Sequence, residues 1–420
     1  MDKIVVEGGT PLKGVVQVSG AKNAALPILF STLLAPGKHI LNRVPNLQDV
    51  LSTFELLKSL NVKSDFKDHV ATLFTEEPQN MEAHYDLVRK MRASVLCLGP
   101  LLARYGHARV SLPGGCAIGA RPINLHLDAL KKMGAEIKIE EGYVEARCKR
   151  LQGAKIIFDG VTVTGTENIM MAAALAKGTT ILQNCAKEPE VANLGEYLNE
   201  MGAKVYGAGT ETMTIEGVDN LNGASATIIA DRIEAGTLVV AGAITGGEIE
   251  VQDFDPLIIE ALTLKLREIG FTLNSLTGSK KGLKVTSPKT WNAIDVVTAP
   301  YPGFATDLQA QFMALMCFAQ GTSTIKETIF ENRFMHVQEL SRLGADIQIK
   351  NQVAVIKGNK KAMTGAPVMA TDLRASASLV LAGLGSQGKT TISRIYHLDR
   401  GYENLEKKLR ALGAKIERVP

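Results

Sequence analysis

Hydrophobic positions along the chain follow two alternating rhythms. In the first, aliphatic residues three and four apart are interleaved with charged ones, and each run closes on Leu-x-x-(Leu/Met/Ile)-Gly-Ala. The closing phrase reads Leu130-Lys-Lys-Met-Gly134-Ala, Leu198-Asn-Glu-Met-Gly202-Ala, Leu266-Arg-Glu-Ile-Gly270-Phe, Leu340-Ser-Arg-Leu-Gly344-Ala and Leu409-Arg-Ala-Leu-Gly413-Ala, with a weaker copy at Leu57-Lys-Ser-Leu-Asn61-Val. Such a stripe predicts an amphipathic helix, a left-handed C-cap at the glycine and a following strand. In the second rhythm an Ala-rich helix, apolar all round, ends at Gly37, Gly106, Gly178, Gly246, Gly321 or Gly388, and a Thr/Ile/Val-rich strand follows. Both phrases recur six times in phase, about every 70 residues, which is longer than the units of common solenoids. The expected fold class is α/β (α+β): six small repeats, three to each of two globular domains.

The composition fits that reading and narrows the function. The 420 residues are 45% hydrophobic and 21% charged, ordinary for a globular chain and unlike a disordered one. A net charge of +4 is too small for a dedicated nucleic-acid binder. The first residues, Met1-Asp-Lys-Ile-Val-Val, carry no signal-peptide pattern, and no apolar run reaches membrane-spanning length. Five cysteines without a Cys-x-x-Cys pair fit a reducing, cytoplasmic location.

Fourteen residues before each glycine of the apolar series stands a polar side chain: Asn23, Arg92, Thr164, Arg232, Asp307 and Arg374. All six fall at the start of an apolar helix, where free N–H groups and the helix dipole favour anions. Asn and Asp are ordinary there. Arginine opposes the dipole, so three arginines at equivalent positions point to anions nearby. Twelve residues after Gly321 and Gly388 come two more, Arg333 and Arg400, and Lys22 precedes Asn23. The pattern predicts a polyanion pocket for phosphate and carboxylate groups, which suit guanidinium forks.

A second feature is the loop Ser111-Leu-Pro-Gly-Gly-Cys116-Ala-Ile-Gly-Ala-Arg121-Pro-Ile-Asn124-Leu. Its glycines suit an active-site lid, and a guanidinium close to a thiol makes it usable as nucleophile or proton donor. Cys97, Cys148, Cys185 and Cys317 lie in apolar or strand-like surroundings and read as core filler. The seven histidines show no metal spacing and read mostly as surface or strand-end residues, with His397 close enough to Arg400 to support the pocket. There is no Walker A, Gly-x-Gly-x-x-Gly, His-Glu-x-x-His or Gly-x-Ser-x-Gly string.

These strings together resemble the enolpyruvyl transferase family, and closely its UDP-N-acetylglucosamine 1-carboxyvinyltransferases. The resemblance runs through Ser19-Gly-Ala-Lys-Asn-Ala24, Met91-Arg-Ala-Ser94, Leu112–Pro122, Asp231-Arg-Ile-Glu-Ala-Gly236, Pro302-Gly-Phe-Ala-Thr-Asp307, Phe330-Glu-Asn-Arg333, Thr371-Asp-Leu-Arg374 and Tyr396–Tyr402. It implies a two-domain inside-out α/β barrel of six βαββαβ repeats. One domain would span residues 22–230 and the other 1–21 with 231–420, with the active site in the interdomain cleft. It implies transfer of enolpyruvyl from phosphoenolpyruvate to the 3′-hydroxyl of UDP-N-acetylglucosamine, with no metal or organic cofactor, no nucleic acid and no membrane partner. Cys116, Asp307, Lys22 and Arg400 match the family's catalytic residues, with Cys116 as proton donor or as covalent nucleophile and the expected target of epoxides such as fosfomycin. Lys22, Arg121 and Arg400 match its phosphoenolpyruvate ligands, and Asn23, Arg92 and Asp307 its sugar and reaction-centre residues. Arg121, Pro122, Ile123, Asn124 and Leu125, with Val163, Thr164 and Gly165, match the uridine-diphosphate site. Ile329, Arg333, Asp372 and Arg374 match further substrate-binding positions. Three departures bear on contacts: Gln48 where many members have Lys, Asn124 where Asp is common, and Gly160 where some have a basic residue. The sister activity on shikimate 3-phosphate shares the repeats but lacks the Gly-Gly-Cys loop. A non-catalytic sugar-nucleotide binder would have no reason to keep Cys116, Asp307, Lys22 and Arg400 together.

Overall fold

The computed structural model describes residues 2–77, 81–89, 91–112, 123–278 and 281–420. They fall into two compact units, residues 2–19 with 230–420 and residues 20–229, each with its own apolar core. Among the described residues no helix is long and apolar enough to cross a membrane.

The two helix types separate as their patterns require. In the 20–229 unit the all-apolar helices are Lys22–Ser31, Leu98–Tyr105 and Val163–Ala173, and in the other Arg232–Ile244, Thr306–Met316 and Leu373–Gly385. The last is buried at every position from Arg374 to Leu384, because a helix without a polar face has nothing to offer solvent. In the 230–420 unit the three pack on one another, and in the 20–229 unit Val163–Ala173 packs on both of the others. The striped helices, such as Gln48–Ser59, Pro189–Glu200 and Glu260–Glu268, bury one face and expose the other. All six glycines of the apolar series adopt φ between +69° and +101°. The five of the striped series lie between +91° and +100°, and Asn61 stands in for the sixth at +63°. An L side chain with a Cβ is strained in that conformation, which is why both phrases end on glycine.

Among the described residues there are six four-stranded sheets, three in each unit, and all have one plan. In one of them Lys155–Ile157 runs parallel to Thr179–Gln183, which pairs antiparallel with Thr212–Glu216, itself paired with Lys204–Tyr206. The order along the chain is therefore β-α-β-α-β-β, which corrects the expected β-α-β-β-α-β order while keeping the six repeats. Both orders hold four strands and two helices, but one strand rather than two separates the helices and two follow the second, while the opening strand is the edge strand ahead of each buried helix. It spans only two or three residues in Glu82–Ala83, Lys155–Ile157, Ser225–Thr227, Val296–Val297 and Pro367–Met369, too short to show alternation.

Two repeats take their edge strand from elsewhere in the chain order. Lys13–Gln17 precedes the helix Lys22–Ser31 but pairs with Glu248–Gln252, whereas Ser225–Thr227 precedes Arg232–Ile244 but pairs with Gly37–Asn42. One sheet also closes on the start of the chain: Lys3–Glu7 lies antiparallel between Lys389–Ser393 and Lys415–Val419.

Candidate active site

In the 230–420 unit three sequence-predicted residues meet. Asp307 is the second residue of the helix Thr306–Met316, and Arg374 the second of Leu373–Gly385. Arg333 comes from the turn segment ahead of the short helix Val337–Arg342. Arg333 Nη2 donates to Asp307 Oδ1 at 2.8 Å, while Arg374 approaches Oδ2 with Nε at 2.9 Å and Nη2 at 2.8 Å. Both arginine side chains are almost fully buried, at 4% and 3% exposure, whereas the Asp307 side chain keeps 27%. The carboxylate is thus fixed by charge-assisted bonds on both oxygens with one edge left to solvent. Asp372 caps the Arg374 helix, its Oδ1 accepting from the backbone N–H groups of Arg374 and Ala375. Asp231 caps Arg232–Ile244 in the same way. Arg374 is therefore compensated by the chain's own Asp307, 67 residues away, a partnership that local sequence did not reveal.

The remaining predicted residues of this unit sit close by in sequence but play different structural parts. Ile329 donates its N–H to Glu327 Oε1 at 2.8 Å. Glu327, 1% exposed, also receives the hydroxyls of Thr298 and Thr306, so one buried carboxylate shapes the loop that carries Ile329. Arg400 ends the 3-10 turn Ile395–Arg400 and is half-buried. Burial, then the Arg400 charge, pushes the His397 imidazole below its usual range.

In the 20–229 unit, Lys22 and Asn23 open the helix Lys22–Ser31, and Arg92 opens the 3-10 turn Arg92–Cys97 that runs into Leu98–Tyr105. Lys22 Nζ lies 3.3 Å from Asp49 Oδ2, both largely buried. Asp49 follows the exposed Gln48 in the first turn of its helix and was not anticipated. Val163, Thr164 and Gly165 form the first turn of Val163–Ala173, capped by the Thr162 hydroxyl. Ile123 is the N-cap of Asn124–Lys132, with Asn124 exposed and Leu125 half-buried. Gly160 stands in the turn before the Val163 helix. Cys116, Arg121 and Pro122 lie outside the described residues.

A hydrogen-bond chain joins three of these elements. The Gly99 N–H donates to Asn168 Oδ1 at 2.8 Å, which fixes the orientation of the amide. Asn168 Nδ2 is then the donor to His126 Nδ1 at 3.0 Å, which leaves His126 Nε2–H to donate to Thr164 Oγ1 at 3.3 Å. That relay requires a neutral imidazole. Burial, with the Arg92 charge adding to it, holds His126 down at about 4. The close helix approach requires Gly99, since a Cβ there would stand 2.3 Å from Asn168 Oδ1.

His126 is not the surface residue its sequence context suggested, and neither are His39 and His336, all three buried. Burial lowers His39 to about 4 and lowers His336 as well. Each is neutral in the fold and binds a proton once unfolded below about pH 6.5. Their stabilising contribution is therefore present above that pH and lost as pH falls towards 4. Burial raises the carboxyls of Glu167 and Glu234, which act in the opposite sense but are outnumbered. Urea midpoints are expected to fall between pH 7 and pH 4.5, and a His126→Asn variant should flatten the slope by about one proton.

Residues 6–409 match the family model described as EPSP synthase (3-phosphoshikimate 1-carboxyvinyltransferase). The chain is 59% identical over 416 residues to the UDP-N-acetylglucosamine 1-carboxyvinyltransferase of Bdellovibrio bacteriovorus, covering 99% of this chain and 100% of that one. It is 56% identical over 420 residues to the protein of the same name from Thermodesulfovibrio yellowstonii, with both chains covered in full. Among solved structures it resembles the enolpyruvyl transferase NikO from Streptomyces tendae, with a TM-score of 0.87 at 24% identity over 100% and 99% of the two chains. EPSP synthase from Acinetobacter baumannii follows at a TM-score of 0.76 and 18% identity, over the whole of both chains. These structures share the fold, and the full-length identities place the sequence more finely: the chain belongs to the EPSP synthase family of enolpyruvyl transferases, among the UDP-N-acetylglucosamine 1-carboxyvinyltransferases.

Proposed function

We infer that this protein transfers the enolpyruvyl group of phosphoenolpyruvate to the 3′-hydroxyl of UDP-N-acetylglucosamine and releases phosphate, the first committed step of peptidoglycan synthesis. The observation that carries the reading is 59% identity along the full length to a relative named for that reaction. Asp307 accepts the proton of the sugar hydroxyl as its oxygen bonds to C2 of phosphoenolpyruvate. The fixed carboxylate holds the hydroxyl in line through its exposed edge. The methylene carbon gains a proton, for which Cys116 is the donor. Cys116 can alternatively add to C2 of phosphoenolpyruvate to form a thioether-type adduct. In the addition intermediate C2 carries both oxygens. Breaking the bond to the phosphate oxygen and removing a methyl proton then restores the double bond. Lys22, Arg121 and Arg400 bind the phosphate and carboxylate, whose charge they stabilise through the addition.

The sugar nucleotide is assigned to Asn23, Arg92 and Asp307 at the sugar, and to Arg121–Leu125 with Val163–Gly165 at the uridine diphosphate. The backbone N–H groups at the starts of Asn124–Lys132 and Val163–Ala173 suit the diphosphate. Ile329, Arg333, Asp372 and Arg374 complete the binding surface. No metal or organic cofactor enters this chemistry, and the expected location is the cytoplasm.

Purified protein mixed with phosphoenolpyruvate is expected to release phosphate when UDP-N-acetylglucosamine is added and not when shikimate 3-phosphate is added. Release with shikimate 3-phosphate alone would replace the reading by the sister activity.

A further inference from the structure

Behind the Asp307 carboxylate lies a buried polar cluster that joins two of the buried helices to the segment after the Ile395–Arg400 turn. Thr237 on Arg232–Ile244, Gln311 on Thr306–Met316 and Tyr402 after the Ile395–Arg400 turn meet there. All three are buried, at 0%, 0% and 2% exposure. Their hydrogen-bond directions follow from the partners. Thr237 gives its only hydrogen to the Ile233 carbonyl at 2.7 Å, so Tyr402 OH donates to Thr237 Oγ1 at 2.9 Å. Gln311 Nε2 then gives one hydrogen to the Asp307 carbonyl at 2.9 Å and shares the other between Tyr402 OH at 3.0 Å and Thr237 Oγ1 at 3.1 Å. The Asp307 carbonyl can only accept, which fixes the amide this way round. As a result Gln311 Oε1 is buried with no hydrogen-bond partner among the described residues.

An orphaned carbonyl oxygen in a core is unfavourable, and an aliphatic residue of the same size would avoid it. The cluster therefore makes little sense as a device for stability. Its reach is more telling. Gln311 grips the backbone of Asp307 itself. The Tyr402 ring lies 5.3 Å from the guanidinium carbon of Arg374, whose Nε and Nη2 hold Asp307 Oδ2. Thr237 ties both to the third buried helix. The cluster thus touches the carboxylate's backbone from one side and its arginine partner from the other.

We propose that Gln311, Tyr402 and Thr237 are positioning residues that set the orientation of Asp307 and Arg374 for the enolpyruvyl transfer. This rests on the function inferred above. None of the three contacts substrate in this scheme; they act through the carboxylate. Because an error of a fraction of an ångström in a catalytic group slows chemistry more than binding, the effect should fall on turnover.

The test compares Tyr402→Phe with Tyr197→Phe. Tyr197 is equally buried, and its hydroxyl lies 2.6 Å from His39 Nδ1 in the other unit, so its loss is a matched structural control. Tyr402→Phe is expected to lower kcat about tenfold with KM for both substrates within about twofold of wild type. Tyr197→Phe should lose comparable thermal stability and keep its kcat. A second variant, Gln311→Met, removes the orphaned oxygen together with the donors. It should match or exceed wild type in melting temperature and still turn over about tenfold more slowly. Tyr402→Phe and Gln311→Met with wild-type kcat, a change in KM alone, or equal kcat losses in Tyr402→Phe and Tyr197→Phe would overturn the positioning role. If Tyr402→Phe does not fold, Gln311→Met decides alone. Absence of phosphate release by the wild type would instead remove the functional reading beneath it.

Discussion

A Cys116→Ser variant is expected to fold as wild type and to lose nearly all turnover. Serine keeps the volume of the side chain but is a far weaker acid and a poorer nucleophile than the thiol, so both roles open to Cys116 suffer. The expected loss in kcat is on the order of a hundredfold or more, the usual contribution of a general acid. Mass spectrometry of the variant after mixing with phosphoenolpyruvate and UDP-N-acetylglucosamine should show no covalent adduct. Cys116→Asp separates the two roles. A carboxyl donates a proton but is not a soft nucleophile, so this variant should retain turnover and resist alkylation by an epoxide such as fosfomycin. Wild-type kcat in Cys116→Ser would end the assignment of this residue, and normal alkylation of Cys116→Asp would place the reactive thiol elsewhere.

Removing the Asp307 carboxylate has two expected consequences, one chemical and one structural. Asp307→Ala should lower kcat by roughly a hundred- to ten-thousandfold while binding of UDP-N-acetylglucosamine stays measurable by calorimetry. A loss confined to affinity would instead make Asp307 a sugar-positioning group. The structural effect follows from the two guanidiniums left behind, 4% and 3% exposed, whose carboxylate partner is gone. Breaking a buried pair is costly, but Asp307 itself keeps 27% exposure, so a loss of about 1–3 kcal/mol is the reasonable scale. Because the remaining charges are both positive, added phosphate should raise the melting temperature of Asp307→Ala more than that of wild type.

What could be read from sequence is local and periodic. The two glycine phrases set twelve left-handed helix ends, and the run of polar residues fourteen positions earlier marked the starts of the buried helices. What could not be read is the pairing across repeats. Arg374 reaches Asp307 across 67 residues and Arg333 across 26, so the carboxylate that offsets two of the arginines is invisible to any local pattern. Asp49 looks like an ordinary first-turn acid, although it is the partner of Lys22. His126 shows the same limit from the other side: nothing in Leu-His-Leu announces an imidazole buried between Asn168 and Thr164. Gln311 gave no signal either, since it shares its helix with Gln309 and only its partners Thr237 and Tyr402, 74 and 91 residues away, show it to be part of a cluster.

The placement of Lys3–Glu7 between Lys389–Ser393 and Lys415–Val419 also imposes an order on biosynthesis. Lys3–Glu7 leaves the ribosome long before either of its partners, so its sheet stays incomplete until Lys415–Val419 has been made. The 20–229 unit has no such dependence, and every strand of its three sheets is translated by Thr227. At translation rates of roughly 5–20 residues per second, the nascent N-terminal strand waits on the order of tens of seconds with its hydrogen-bonding edges unpaired. During that interval the middle of the chain can fold as a finished body while both ends remain open. The early strand is short and sets Lys3 and Glu7, with Asp2 just ahead, around three apolar residues, a charge pattern that discourages pairing with other nascent chains.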